Sequence, residues 1–304
     1  MQVAVLLSAY NGETFLREQI ESIVAQHGVE VRLLVRDDGS TDGTPALLQD
    51  LQQAHGFRLI SGPNLGVIGS FFALVAAAPD DADLYAFADQ DDWWQPDKLA
   101  RAAARLQASG APTDSAQLYC SAYTISDEAL RPQRTVVFPG IRPGFGNALV
   151  ENIAPGCTMV FNAQARNLLC RSIPDARPLM HDWWLYQLVS GLGTVRYDTE
   201  SHILYRQHGR NVVGTSASRL KHLWRRIQRF LRYEGINHLR RQALEFQRWY
   251  GDDLPEPNRS VLAGFLAERT SPWRRLRYAL DTPTYRQRRF DNVVLRILIA
   301  LGRI

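Results

Sequence analysis

Within its first ninety residues the chain alternates short apolar runs with stretches of helical period, and each apolar run ends in a polar cluster. Residues 3–7 (Val-Ala-Val-Leu-Leu) read as a buried strand, followed by the small-residue loop Ser8-Ala9-Tyr10-Asn11-Gly12. Phe15, Ile20, Ile23 and Val24 recur at helical spacing and predict a helix over 14–25. A second strand over 31–35 runs into Asp37-Asp38-Gly39-Ser40. A helix over 45–54, a short strand over 58–60, a helix over 68–78 and a strand over 84–88 follow, the last entering a run of carboxylates. Strands alternating with helices of this length specify an α/β architecture, a mostly parallel sheet with helices on both faces. In such sheets ligands bind beyond the carboxyl ends of the strands, where these polar clusters fall.

Further along, residues 110–215 mix shorter strands with loops rich in Pro and Gly, and from 217 the pattern is helical and basic, with a break at 252–257. The expected organisation is a catalytic domain over 1–216, divided near 110, and a basic helical region over 217–304. From residue 217 onward there are 19 Lys and Arg against 8 Asp and Glu, and before it 16 against 23. Such an asymmetry implies different partners for the two parts. Three cysteines, Cys120, Cys157 and Cys170, form no CxxC pair, which points to reduced thiols in a reducing compartment. The start lacks a basic n-region, and no window reaches the roughly 18 to 20 apolar residues of a membrane span. The expected location is the cytoplasm.

The chemistry concentrates in Ala88-Asp89-Gln90-Asp91-Asp92-Trp93-Trp94. Acids this close repel one another unless a cation neutralises them, and hard divalent ions such as Mg2+ or Mn2+ take carboxylates together with substrate phosphates. Asp-x-Asp puts two carboxylates on one side of an extended chain. The alternative is an acidic turn capping a helix that begins near Pro96. Asp37 and Asp38 can accept from a base imide or a ribose hydroxyl, or form a plain turn and helix cap. Neither GxGxxG after the first strand nor GxxxxGK[ST] occurs, which counts against dinucleotide and P-loop chemistry.

In order and spacing, Val5-Leu6-Leu7-Ser8-Ala9-Tyr10-Asn11-Gly12, Arg36-Asp37-Asp38-Gly39-Ser40-Thr41-Asp42-Gly43 and Ala88-Asp89-Gln90-Asp91-Asp92-Trp93 resemble family 2 glycosyltransferases, the large group with the GT-A fold. The resemblance implies that Ser8, Ala9, Tyr10, Asn11, Asp37, Asp38, Gly66 and Gln90 face the donor nucleotide. It implies that Asp89 and Asp91 hold Mg2+ or Mn2+ and the diphosphate, with Asp91 the direct ligand. Pro155-Gly156-Cys157-Thr158 resembles the acceptor-side segment, to which Trp93, Trp183 and Trp184 are joined. In Met180-His181-Asp182-Trp183-Trp184, Asp182 falls where relatives carry the catalytic base. A carboxylate beside tryptophans is also partly desolvated, which makes it a better base; a helix N-cap is the plainer alternative. Tyr205-Arg206-Gln207-His208-Gly209-Arg210 is similar to segments that close over the donor diphosphate. His208 would then complete the metal shell or bond a phosphate, and Arg206 or Arg210 would offset leaving-group charge. The QxxRW motif of polymerising relatives is absent, which favours transfer of one sugar per visit.

Within the family the pattern looks most like bacterial rhamnosyltransferases of cell-surface polysaccharide assembly. That implies dTDP-L-rhamnose as donor, with a UDP-hexose as the alternative, and a glycan or glycolipid acceptor such as a lipopolysaccharide precursor. The implied reaction is a single displacement with inversion through an oxocarbenium-like transition state. Over 219–233, Leu220, Leu223, Trp224, Ile227 and Leu231 form one apolar stripe bordered by arginines. Such a helix suits the anionic inner face of the cytoplasmic membrane, or else packs on the catalytic domain. No nucleic-acid motif accompanies the basic region, so no nucleic acid is expected as a partner. A nucleotidyltransferase would want Lys or Arg in the loop after the first strand, and Ser8 to Glu13 has neither.

Overall fold

The computed structural model describes residues 1–112, 114–138, 140–173, 178–209 and 234–304. The basic helix expected at 219–233, and Arg210, lie outside them. The first half runs β1 (Gln2–Ala9), α1 (Leu16–Val24), β2 (Glu30–Asp37), α2 (Thr44–His55), β3 (Arg58–Ser61), α3 (Gly66–Ala77), β4 (Leu84–Ala88), β5 (Trp93–Trp94) and α4 (Lys98–Gln107). Then come β6 (Gln117–Ser126), β7 (Pro132–Val136), α5 (Phe145–Ala148), a 3-10 turn (Gly156–Thr158), β8 (Val160–Asn162), α6 (Ala163–Ser172), α7 (His181–Leu192) and β9 (Thr194–Arg206). Four helices close the chain: α8 (Glu234–Tyr250), α9 (Asn258–Leu266), α10 (Pro272–Asp281) and α11 (Arg289–Ala300). Every strand and helix expected before residue 90 is present.

One sheet carries the order β3-β2-β1-β4-β8-β6-β9-β5, with β7 paired to β6. The first four strands are parallel, as the alternation with helices requires. The sheet is mostly parallel, as expected, with reversed strands in its second half: β8 lies antiparallel between β4 and β6, while β6 and β9 run with the first four. Between β6 and β8 the chain makes a hairpin and a loop excursion instead of a helical crossover, so β8 re-enters in the opposite sense.

Strand period divides the core. Val3, Val5, Leu7 and Ala9 point to one face with Leu16, Ile20 and Ile23 of α1, Leu48 of α2 and Leu99 of α4. Ala4 and Leu6 point to the other, with α3, α6, α7 and residues of all four C-terminal helices. Burial on both faces is why β1 reads as an unbroken apolar run. The described part of the expected helical region thus closes the same core as the sheet. In α8, Leu239, Ala243, Phe246 and Tyr250 form the inward stripe, and Phe246 packs against Phe145, Trp184 and Tyr250. No helix among the described residues is long and apolar enough to cross a membrane.

This packing makes Phe246 a test of whether 234–304 is integral to the domain. Phe246→Ala should cost about 3–5 kcal/mol by transfer and cavity terms, read as a lower denaturant midpoint for a single cooperative transition. A separately melting C-terminal unit would contradict the shared core.

Candidate active site

The loops after β1, β2 and β4 meet at the carboxyl edge of the sheet, and backbone-directed hydrogen bonds fix them to one another. Asn11, at φ 48°, donates its N–H to Ser40 Oγ (2.9 Å) and accepts at Oδ1 from Thr41 N–H (2.8 Å). The N–H of Gly12 reaches Thr44 Oγ1 (2.8 Å), and the N–H of Gly43 reaches Glu13 Oε2 (2.7 Å). Gln90 returns across the gap: its Oε1 accepts from Tyr10 N–H (2.8 Å) and its Nε2 donates to Tyr10 O (3.1 Å). Tyr10 is left 46% exposed, its ring open to solvent above the loop. Gly39 sits at φ 78°, and a Cβ there would stand 2.9 Å from the backbone nitrogen of Asn64. Only glycine lets the β2 and β3 loops approach this closely.

Under these loops Arg36 and Asp38 form a buried ion pair. Arg36 also donates to Pro63 O (2.8 Å) and Ser70 Oγ (3.2 Å), Ser70 bonds Ser8 (2.6 Å), and Asp38 accepts from Leu65 N–H (2.8 Å). Asp38 and Ser8 therefore belong to the framework that shapes the pocket. Asp37 spends one oxygen on Ser40 N–H (3.1 Å). Gly66 opens α3 at φ 71° with clear space around its Cα.

At the end of β4 the acids gather. Asp89 is partly buried, and burial, then the charges of Asp91 and Asp182, raise its pKa to about 7. Asp92 is fully buried and is also held well above the usual carboxylate range, by burial and then by Asp91 and Asp89. One Asp92 oxygen accepts from Arg206 N–H (3.3 Å), and the other has no partner among the described residues. Ligand atoms of Asp89, Asp92 and Cys157 lie within 4.8 Å of one another. Asp91 Oδ2 stands 2.8 Å from His208 Nε2. Beneath, Lys98 Nζ is 3.3 Å from the centre of the Trp94 ring, and burial lowers its pKa to about 7 against the pull of Cys157 and Asp92.

Carboxylates are hard donors suited to Mg2+ or Mn2+, and an imidazole beside them, a borderline donor, suits Mn2+ better. The raised pKa values say that this cluster either keeps protons or gains a cation. The Cys157 thiol, 1% exposed and held protonated by burial, is not part of such a set.

Asp182 arrives from the other side of the sheet, in the first turn of α7. Its Oδ2 accepts from Gly156 N–H (3.1 Å) and its Oδ1 from Trp183 N–H (2.6 Å). Met180, not Asp182, occupies the N-cap position, so the capping alternative does not hold. Burial raises the Asp182 pKa to about 6, with the hydrogen bonds from Trp183 and Gly156 opposing. A Cβ on Gly156 would stand 3.0 Å from His181 Nε2 and 3.5 Å from Asp182 Cβ, so glycine is what lets the 3-10 turn lie against Asp182. His181 itself turns inward, stacked on Phe71 at 3.9 Å, and burial keeps it neutral, with a pKa near 3.

Four expectations are corrected. Arg206 is 2% exposed, and its guanidinium is bound to Asp91 O (2.9 Å), Glu128 O (2.5 Å) and the Glu18 carboxylate over the Phe15 ring, so it braces the acid loop and does not reach a diphosphate. Trp184 is fully buried, donates to Ser172 Oγ (2.9 Å) and packs on Phe246, away from any acceptor face. Trp93 lines a surface pocket with Glu18, Ala25 and Leu130 on the α1 side of the sheet, whereas Asp182 comes from α7 on the other. Cys157 lies under the acids, not on a surface. Trp183 is partly exposed, and its indole donates to Ala148 O (2.7 Å). Sequence reasoning missed Arg36 at the end of β2, Gln19, whose buried amide donates to Asp89 O (2.9 Å), and Lys98; a polar residue buried on a strand or helix leaves no periodic signal.

The dTDP-rhamnosyl transferase RfbG of Shigella flexneri is 27% identical over 223 residues, 70% of this chain and 75% of that protein. The structure of S. aureus TarS in complex with UDP-GlcNAc superposes at a TM-score of 0.59 and 15% identity, covering 100% of this chain and 82% of that one. A mannosyltransferase from Pyrobaculum calidifontis, solved with GDP-Man and Mn2+, gives 0.50 at 17% identity, covering 99% and 86%. The fold is therefore that of the GT-A glycosyltransferases. The profile of Glycosyl transferase family 2 matches residues 4–162, just over half of the sequence, and the chain belongs to that family.

Proposed function

We propose that this glycosyltransferase moves one L-rhamnose from dTDP-L-rhamnose to a hydroxyl of a bacterial surface-glycan precursor, in a single inverting displacement with Asp182 as base. The observation that carries the reading is Asp182: a carboxylate far from the acid loop in sequence, yet close enough in space for its charge to raise the Asp89 pKa. Two backbone N–H donors orient it, and its raised pKa suits proton abstraction near neutral pH. The relative named as a dTDP-rhamnosyl transferase supports the donor.

In this reading the loops after β1 and β2 bind the nucleoside, with the exposed Tyr10 ring against it and Asp37 at the pocket floor. Asp91 and His208, with Asp89, hold Mg2+ or Mn2+, which offsets charge on the departing nucleoside diphosphate. Asp182 takes the proton from the acceptor hydroxyl, which attacks the anomeric carbon from the face opposite the nucleotide. Trp183 borders the acceptor. If the donor is β-linked, the product linkage is α.

Donor binding and hydrolysis with dTDP-L-rhamnose, UDP-glucose, UDP-galactose and GDP-mannose separate the parts of this reading. Metal-dependent preference for dTDP-L-rhamnose, abolished in Asp91→Ala, is expected; preference for another donor discards rhamnose, and no binding to any of them discards the activity. Asp182→Asn should keep donor affinity while lowering kcat by about 10²- to 10⁴-fold. In the wild type, kcat/KM should fall as pH drops through about 6, where Asp182 gains its proton. Added positive charge from the bound cation moves that limb to lower pH. An Asp182 carboxyl that titrates in the ordinary carboxylate range in metal-free protein, followed directly by NMR, would sink the assignment of Asp182.

A further inference from the structure

Helices α10 and α11 pack on one another near the end of the chain, and each leaves an apolar stripe uncovered. In α10 the exposed residues are Trp273, Leu276 and Leu280, at i, i+3 and i+7. Trp273 is 80% exposed, which is unusual for the largest side chain in a domain that buries Trp94 and Trp184 completely. In α11 they are Phe290, Val293, Ile297 and, one residue past the helix, Leu301, at i, i+3, i+7 and i+11. The opposite face of α11, through Leu295 and Ile299, enters the core. Spacing and burial together make α11 two-faced, with its outer face as apolar as its inner one.

Charge decides what can cover this surface. Residues 272–304 hold eight arginines and two aspartates. Asp291 is buried, while Arg274, Arg277, Arg288 and Arg289 are exposed around the stripes. Arg296 is withdrawn, donating to Ala279 O (2.7 Å) at the end of α10, so it fixes the pair and leaves the rim to the others. An apolar face with tryptophan and phenylalanine inside an arginine rim matches the boundary of an anionic bilayer, where the rings enter the acyl region and the guanidinia meet phosphate. A second copy of the chain would set the same arginines against each other.

We propose that the outer face of α10 and α11 docks on anionic phospholipid. The link between the two helices is anchored to the acceptor half: Tyr285 Oη donates to Arg142 O (2.7 Å), Arg286 to Val150 O (2.7 Å), and Asn147 Nδ2 to Tyr285 O (2.9 Å). Ala148, in the same stretch, receives the Trp183 indole. Docking therefore fastens the segment that carries Trp183 to the bilayer-bound helices, which, resting on the proposed reaction, keeps the base near a lipid-linked acceptor.

Flotation of the full chain with phosphatidylcholine vesicles, with and without phosphatidylglycerol, tests the surface. Binding is expected only with phosphatidylglycerol, weakening as salt rises. Phe290→Glu with Ile297→Glu should abolish it, and Arg288→Gln with Arg289→Gln should weaken it about fivefold per arginine. Thermal melts verify that these exposed substitutions leave the protein folded. Donor hydrolysis without vesicles should be unchanged in all of them, so a failed flotation is not confused with a failed glycosyltransferase. Wild-type protein that stays unbound, or stripe variants that float like wild type, would overturn the proposal. So would a stable dimer in light scattering that the stripe variants dissociate, since the face would then belong to a second copy.

Discussion

One guanidinium holds the catalytic edge together. Arg206, the last residue of β9, joins the Asp91 carbonyl, the Glu128 carbonyl and the Glu18 carboxylate, and its cation lies 4.5 Å over the Phe15 ring. The same ring packs on His208 at 4.9 Å, two residues further along the chain. The acid loop, α1 and the segment after β9 are thus bound at one point, and Asp91 and His208 are fixed relative to each other through it. A rigid planar donor with several N–H groups can do this where a lysine could not.

Around that brace the protein collects like charges that oppose its own stability. Asp89, Asp91 and Asp92 stand together with little counter-charge, since Lys98 beneath them is itself held near neutrality by burial. Such an arrangement is costly in an isolated fold and favourable when a cation and a diphosphate arrive, which is how binding energy becomes specific to that pair. Asp182 follows a different rule: burial raises its pKa, and backbone donors orient it without fully lowering it.

The parallel half of the fold was legible because buried strands and amphipathic helices differ in period, and loop position at strand ends follows from topology. Motif positions were legible too, but side-chain direction was not. Trp183 and Trp184 are neighbours in sequence, yet consecutive residues on a helix diverge by about 100°, so one faces the cleft and the other fills the core. Arg206 and Cys157 fell inside recognised segments while pointing inward, because a motif records spacing and not which way a strand end turns. The antiparallel entry of β8 was hidden by its length of three residues. The stripes of α10 and α11 have a plain helical period, but period alone does not tell an inner face from an outer one.

The Gln90 side chain pairs with both the N–H and the carbonyl of Tyr10, as a neighbouring strand would. It thereby welds the loop proposed to meet the base to the loop proposed to carry the cation ligands. Across descendants of this sequence, changes in nucleobase preference and in metal preference are then not independent traits. A substitution that reshapes one loop shifts the other through a rigid link, and its effects combine non-additively with changes made on the far side. Lineages switching donor would have to alter residues on both sides of that amide together, which makes position 90 a place where evolutionary history constrains the next available step.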